Sequence, residues 1–458
     1  MLRSFAAVIP AALLLTAALT AGDDRERVSH SLAGRTGHSL GPAQRPVSGS
    51  TLFPPGISLT RKIKEEQAVA IALWNNASLE ADLAQLGMAR ADLIEAGLLQ
   101  NPTLWMLMPV GAKPFELLFN IPIDAIFRRH RRKKAARLNM DAVAAGLVQN
   151  GLNLVRDVRV AYANLALAED KAGIALSGAT LQAEIANSKR SESGSDTGED
   201  YYAAHKDALV AADRAEHLRH SAELDRERLR YLMGLSGDTT EFHATVSSAL
   251  PGMPPAWPLL LEEAMAARPD LRAKEIAIEA AAARTSWERS RILGALNLIT
   301  SSKTVGQRGV LSGPGLFVEA PILNRNQGRI SRAEAELACA TREYIALRQR
   351  IELEIRQARI SVVDALETAG RIRSGILPVA LRIVELAKSS FEHDETLLRH
   401  KWETLRSLLD ARNAEADSIA TVRKTVAELE RSVGRKIEPL SSFSPPHAGG
   451  VQGHQDGF

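Results

Sequence analysis

The chain has 458 residues, of which 45% are hydrophobic and only 4% aromatic, and its 57 Lys plus Arg against 54 Asp plus Glu leave a formal net charge of +3. Apolar content carried mostly by Ala, Leu, Ile and Val favours long helices packed through small side chains, and the near balance of charge excludes a dedicated nucleic-acid binder, whose affinity needs a concentrated basic excess. The single cysteine, Cys339, excludes an intrachain disulfide framework and any multi-thiolate metal centre.

In chain order, Arg3 precedes an apolar run from Phe5 to Leu19, and Thr20-Ala21-Gly22 supplies small residues before Asp23-Asp24. This is the layout of a secretory signal over 1–22, shorter than the ~20 apolar residues of a spanning helix. No Cys follows it, so an N-terminal lipid anchor is not expected. Residues 23–58, rich in Gly, Pro, Ser, Arg and His, read as a leader or linker without a core of its own.

From Leu59 the pattern is helix of unusual length, broken at a few Gly, Pro or Ser clusters. The breaks recur. Leu79 in NNASLEADLAQL resembles Leu271 in ARPDLRAKEIAI, Pro122-Ile123 resembles Pro321-Ile322, and Gly234 in LMGL resembles Gly434 in SVGR. Spacings of roughly 190 to 200 residues indicate a tandem duplication. A first repeat over 59–235 and a second over 258–436 are joined by 236–257 and followed by a disordered tail over 437–458. Each repeat runs helix, two short strands, very long helix, break, helix.

In the first repeat Met140, Leu147, Leu154, Ala161, Ala168 and Ala175 keep an apolar residue at every seventh position. In the second, Ile330, Leu337, Tyr344, Ile351, Ala358, Ala365 and Ile372 do the same, beside a parallel seam of Ile355, Val362, Ala369 and Ile376. That is coiled-coil spacing. The run from about Arg128 to Lys189 would be ~90 Å long at 1.5 Å per residue. Pro378 interrupts the second long helix and is expected to bend it.

Four short extended segments lie between the helices. Leu117, Phe119 and Ile121 alternate with Glu116, Leu118 and Asn120, and the second repeat gives Leu316, Val318 and Ala320 against Gly315, Phe317 and Glu319. Registering both on the shared Pro-Ile places Asn120 and Glu319 at equivalent positions, facing the pore of a barrel whose outer face meets lipid. Their partners are Leu104 to Met108 and the alternating stretch from Leu296 to Ser301, and only Val110 to Lys113 separates the first pair. Four strands cannot close a transmembrane barrel, so the protein must oligomerise: a dimer would bring eight strands and a trimer twelve. The fold class expected is mainly α with a small β part, an elongated tandem-repeat protomer of long coiled-coil helices plus four transmembrane β-strands.

The motifs resemble the TolC-type outer-membrane efflux channel family over about Leu59 to Lys436. AGLLQNPTL from Ala96 resembles its approach to the first strand, ARPDLRAKEIAIEAA from Ala267 the opening of its second repeat, and ILP from Ile376 and LLDARNA from Leu408 its later helices. APILNRNQGRISRAEAEL, from Ala320 to Leu337, is similar to the strand-to-helix join of members serving heavy-metal pumps of the cobalt–zinc–cadmium and copper–silver type. The resemblance implies a homotrimer in the outer membrane of a Gram-negative bacterium, with a twelve-stranded barrel and a periplasmic α-helical tunnel. It also implies a passive duct whose partners are a periplasmic adaptor, or membrane fusion protein, and an inner-membrane RND pump.

Site candidates follow from this frame. Asp394 and Glu395 could form a charged ring at the periplasmic tip. Gly198 keeps the glycine usual before a Leu-rich tip helix, whereas Lys401 stands at the corresponding place in the second repeat. Arg128, Arg129, Arg131 and Arg132, directly after a membrane strand, are expected to form a membrane-interface basic patch meeting outer-membrane lipid instead of nucleic acid. His217 and His220 share a helix face but lack the further ligands of a metal site, and His393, His400, His447 and His454 suggest none. No phosphate loop, nucleophile elbow or metal-hydrolase helix is present, so neither an enzyme nor a cofactor is expected. The alternatives are a drug or protein exit duct of the same kind, and a soluble periplasmic coiled-coil adaptor or scaffold.

Overall fold

The computed structural model describes residues 24–42, 52–57, 59, 62–110, 115–193, 198–245, 248–293, 296–304, 310–390 and 398–437. The signal over 1–22, Asp394, Glu395 and nearly all of the C-terminal tail lie outside these. The described chain is mainly helical: α1 (24–36), β1 (Lys62–Ile63), α2 (Glu65–Asn75), α3 (Ala77–Gly97), β2 (Thr103–Leu107), β3 (Glu116–Pro122), α4 (Asp124–Ser193), α5 (Glu199–Leu232), β4 (His243–Ala244), α6 (Trp257–Ala267), α7 (Pro269–Ser290), β5 (Leu296–Thr304), β6 (Val310–Val318), α8 (Gln327–Arg371), α9 (Leu377–Ser390) and α10 (Leu398–Val433). The order helix, strand pair, long helix, helix occurs twice. Its longest element, α4, has 70 residues, about 105 Å at 1.5 Å per residue.

Compact packing divides the chain differently from the two sequence repeats, because each compact unit draws on both. One gathers Ser78–Asn150 and Arg268–Arg350 with the described part of Met1–Ser31. The other gathers Leu32–Ala77, Gly151–Ala267 and the described part of Ile351–Phe458.

The first unit holds the sheet, ordered β2-β3-β5-β6 with every neighbour antiparallel. β2 and β6 are its outer strands. Because directly paired residues share a face, the register puts Thr103, Asn120, Pro122, Asn297, Ser301, Lys303 and Glu116 on one side, and an ion pair of 3.0 Å joins Lys303 to Glu116 there. The other side carries Leu104, Met106, Phe119, Leu298, Leu316 and Val318, all between 39% and 62% exposed. The first face holds the strands' charged and amide side chains, with Trp105, Leu118, Ile299 and Phe317 among them, and the second is uncovered and mainly apolar, with Thr300 and Ser302 among it; charge kept to one face is the bias a membrane barrel requires.

The second unit has a dense small-residue core. α2 buries Ala68 through Leu73 without a break, and Tyr162 of α4 with Leu229, Met233, Leu235, Phe242 and Leu260 of the same unit are fully buried. Tyr162 joins the short parallel ladder of β1 and β4: its hydroxyl lies 2.8 Å from the carbonyls of Ile63 and Thr245 and accepts the Thr245 N–H. Burial raises this hydroxyl's pKa to about 12.

The heptad seams are buried in this unit up to Ile372, whereas Ile376, expected in the parallel seam, is 53% exposed. Ile351, Ile355, Ala358, Val362, Ala365, Ala369 and Ile372 of the second repeat lie under 9% exposed, as do Ala161 and Ala168 of α4. Pro378 is taken up by a π turn over Ile372–Ile376, in which Leu377 N–H reaches back five residues to Ile372 C=O. The extra residue moves the helical register at the ring that would otherwise meet a carbonyl four residues earlier.

The leader is the first correction. Residues 24–36 form a helix, with Val28 and Leu32 buried and Leu40 beyond it also buried. Leu32 sits against Gly151, where a β-carbon would come within 2.6 Å of its side chain. In the first unit Arg25 makes a two-pronged pair with Glu80 at 2.7 and 3.0 Å, and Asp24 takes Arg90 at 3.1 Å. Apolar residues four apart in a Gly-, Ser- and Arg-rich stretch are too sparse for a composition-based reading to register.

In the second unit His38 hydrogen-bonds Glu66 at 2.7 Å, and this bond, followed by nearby Arg159 and Lys436 against the opposing effect of burial, holds the Glu66 carboxyl down at about 2. Stability carried by a lowered carboxyl is present above its unfolded value of 4.5 and is lost as pH falls through about 2. His38→Ala is expected to cost no more than about 1 kcal/mol at neutral pH, because the pair is partly exposed. In urea melts that deficit should shrink steadily as pH falls from 4.5 toward 2; a deficit that grew on acidification would contradict the assignment.

Candidate pore-lining site

A polar cavity of about 800 Å³ lies within the first unit, where the strands meet the helices. The sheet contributes Thr103, Asn120, Pro122 and Asn297, all from the face holding Glu116 and Lys303, and Glu319 follows β6. The helices add acids such as Asp92 and Glu95, and a larger set of arginines. Asn120 Oδ1 is buried there and takes no hydrogen bond from protein, which leaves its acceptor capacity unused. The two residues singled out from the sequence as pore-facing, Asn120 and Glu319, are thus brought to one cavity.

The basic run after β3 is divided by the helical period. Asp124, Ala125, Arg128, Arg129 and Arg132 line the cavity, a spacing that puts one face of α4 against it. Arg128 pairs with Asp124 at 3.0 Å. Arg129 donates to Gly97 C=O at 2.6 Å, and Arg132 donates to Ala96 C=O at 2.9 Å and to Leu98 C=O. These are among the carbonyls that the end of α3 leaves without helical partners, and guanidinium groups there also meet the negative end of the helix dipole. The expected single lipid-facing patch is therefore corrected: three of its four arginines stand on the cavity side, and two of them, Arg129 and Arg132, hold α3 to α4. Arg131, on another face, donates to Ser286 C=O at 3.3 Å.

The join after β6 shows what the NRN segment does. Asn326 has φ of 62°, in the left-handed region, which Asn tolerates better than other side chains. Its amide nitrogen donates to both the backbone carbonyl and the carboxylate of Glu288, each at 2.8 Å. Asn324 Oδ1 accepts the Asn326 N–H and Gln327 Oε1 accepts the Arg325 N–H, so the turn into α8 is hydrogen-bonded on both sides. Glu288 is itself buried and also pairs with Arg291 at 3.2 Å. Sequence reasoning marked this motif without assigning it a job; its three polar residues preceding a helix were the available signal. Asn326→Ala should destabilise this unit by about 2 to 3 kcal/mol, from two lost hydrogen bonds to a buried acid and a left-handed alanine. Asn326→Gly should lose less, since it relieves the backbone part, and denaturant melts of the pair of variants measure the difference.

The tip candidates are only partly within view. Gly198 is extended (φ −81°) and its carbonyl accepts the N–H groups of Tyr201 and Tyr202 at 3.1 and 3.2 Å, opening α5. Nothing in that conformation requires glycine. Lys401 is the fourth residue of α10, so it does not hold the position relative to its helix that Gly198 holds. His220 stands beside Arg219 and Glu216 on an exposed face of α5. Among the described residues no three His, Cys, Asp or Glu side chains form a group able to hold a metal ion, and no helix is long and apolar enough to cross a membrane.

No family model matches the chain. Over 377 residues, 81% of this chain and 90% of the relative, it is 23% identical to the cobalt-zinc-cadmium resistance protein CzcC of Cupriavidus metallidurans. Its fold is similar to that of the CmeC outer membrane channel of Campylobacter jejuni, with a TM-score of 0.68 at 16% identity over 82% of this chain and 86% of that one. The outer membrane protein VceC of Vibrio cholerae gives 0.64 at 17% identity over 81% and 96%. The MtrE outer membrane channel of Neisseria gonorrhoeae, in its open state, gives 0.64 at 17% over 87% and 98%.

Proposed function

We propose that this chain is a TolC-type outer-membrane efflux channel, the passive exit duct of a tripartite efflux system exporting heavy-metal cations. The observation carrying this is the sheet: one face uncovered and mainly apolar, the other holding the strands' charged and amide side chains beside a polar cavity of about 800 Å³, and two outer strands unpaired among the described residues. Four strands satisfy their edges only by pairing with other copies. Three copies would close a twelve-stranded barrel with Asn120 and Glu319 facing the pore and Leu104, Met106, Phe119 and Leu316 facing lipid.

The duct does no chemistry. It lowers the barrier to crossing the outer membrane by keeping a hydrated path, and energy comes from an inner-membrane RND pump joined through a periplasmic adaptor. The tip segments near Gly198, Asp394 and Glu395 are where that adaptor would engage and where closure would be controlled. The metal assignment is supported by the CzcC likeness and by the join from Ala320 to Leu337. Deleting the gene and measuring tolerance to zinc, cobalt, cadmium, copper and silver beside a dye panel tests it. Sensitivity to metals with unchanged dye tolerance is expected; dye sensitivity with unchanged metal tolerance would make it a drug duct.

A further inference from the structure

The face of α4 turned away from the cavity has a composition of its own. Phe127, His130, Arg131 and Lys134 recur at the spacing of one helix face, opposite Ala125, Arg128, Arg129 and Arg132, which line the cavity. Phe127 is 76% exposed, and Ile126 beside it 52%; His130, Lys133 and Lys134 are exposed as well. No acidic residue occurs between Asp124 and Asp141, and Asp124 is occupied by Arg128.

The second repeat adds to the same end of the sheet. β3 and β6 run in the same direction, since each is antiparallel to β5. They therefore deliver α4 and α8 at one edge, where Ile322 and Leu323 follow β6 at 75% and 91% exposure. Large apolar side chains left in the open, next to the exposed Lys133 and Lys134 and beside a mainly apolar sheet face, match a membrane interface: apolar groups reach the acyl boundary and cations meet phosphate.

We infer that the outward face of α4, Phe127, His130 and Lys134, together with Ile322 and Leu323, is a headgroup anchor that binds anionic phospholipid at the edge of the bilayer. This rests on the outer-membrane reading above and adds a lipid preference and named residues to it. The anchor fixes the depth of the barrel while the arginines one helix face away stay with the cavity.

The test uses the purified full-length chain in dodecyl maltoside micelles supplemented with phosphatidylglycerol or with the same mole fraction of phosphatidylcholine, reading the midpoint of thermal unfolding. Phosphatidylglycerol is expected to raise the midpoint above that in phosphatidylcholine. The triple variant Phe127→Ser, His130→Ser, Lys134→Ser should lose more than about half of that rise, whereas Lys206→Ser, an exposed cation of the other unit, should keep it. An equal response to the two lipids, or a triple variant with the full rise, would overturn the anchor. So would a triple variant that keeps the rise but loses a co-purifying periplasmic protein, which would make the face a protein contact. Should the triple variant not fold, Lys134→Gln is read the same way, and an undiminished rise there counts against the anchor. A parent chain that fractionates with the outer membrane yet shows no preference defeats the anchor alone, whereas a parent chain soluble without detergent defeats the channel reading, before lipid is added.

Discussion

Gly234→Ala is expected to destabilise the second unit by about 4 kcal/mol or more, enough to prevent recovery of folded protein. Gly234 ends α5 with φ of 70°, its N–H donating to Tyr231 C=O and the Leu235 N–H reaching Arg230 C=O, the pattern of a Schellman cap. A left-handed alanine alone costs about 1 to 2 kcal/mol. The larger part is steric: a β-carbon would stand 2.2 Å from the Asn75 carbonyl oxygen, and that residue is held by its own side-chain bonds to Leu52 and Ile71. Neither backbone can yield without breaking the junction of α2 and α5, where Asn76 also caps Leu232 C=O at 2.9 Å. Circular dichroism melts of the variant, beside Gly237→Ala as a site with open space, would show the difference; equal melting would mean the approach of these backbones is not required.

Arg159→Met is the second large effect, expected at about 3 to 5 kcal/mol. The guanidinium, 9% exposed, faces Glu430, Glu65 at 3.3 Å and Glu66 at 3.6 Å. Burial already pushes the Glu65 carboxyl up, against Arg159 and Arg423, which hold it down. Without Arg159 it rises further. Stability linked to a raised carboxyl is present below the unfolded value and lost as pH rises through the folded one. The deficit of Arg159→Met should therefore be widest at neutral pH and narrow on acidification, and adding Glu65→Gln should recover part of it. Denaturant melts from neutral to mildly acid pH check both; a deficit independent of pH would show that packing of the arginine stem, and not charge, dominates.

How far the sequence led is clearest at particular residues. Heptad spacing found Ile351, Ile355 and Val362 because a period of seven survives any tertiary arrangement that keeps a seam dry. The match of Gly234 to Gly434 was visible as a repeat, and the structure supplies its reason: both end long helices at positive φ, 70° and 87°. Period two found the strands, and register then sorted side chains that alternation alone had left mixed. Of the few aromatics on the strands, Phe119 falls on the mainly apolar face, while Trp105 and Phe317 pair into the other. The basic run after β3 misled because one-dimensional charge density hides the 100° turn per residue that sends Arg129 and Lys134 to opposite sides. Residues 24–36 were missed since their order depends on partners distant in sequence, Glu80, Arg90 and Gly151, which no local pattern announces.

The low aromatic share and high alanine content of the chain come down to one physical claim: apolar residues not spent on helix seams form the outside of a barrel that a single chain cannot close. Separation of inner and outer membranes on a density gradient, followed by gel electrophoresis of the outer-membrane extract with and without heating, tests that claim most directly. The account predicts a detergent-requiring outer-membrane protein that migrates as a trimer until heated and as a 49.6 kDa chain or its processed form afterwards. Recovery as a soluble periplasmic monomer, with no heat-sensitive oligomer in the membrane fractions, would contradict it.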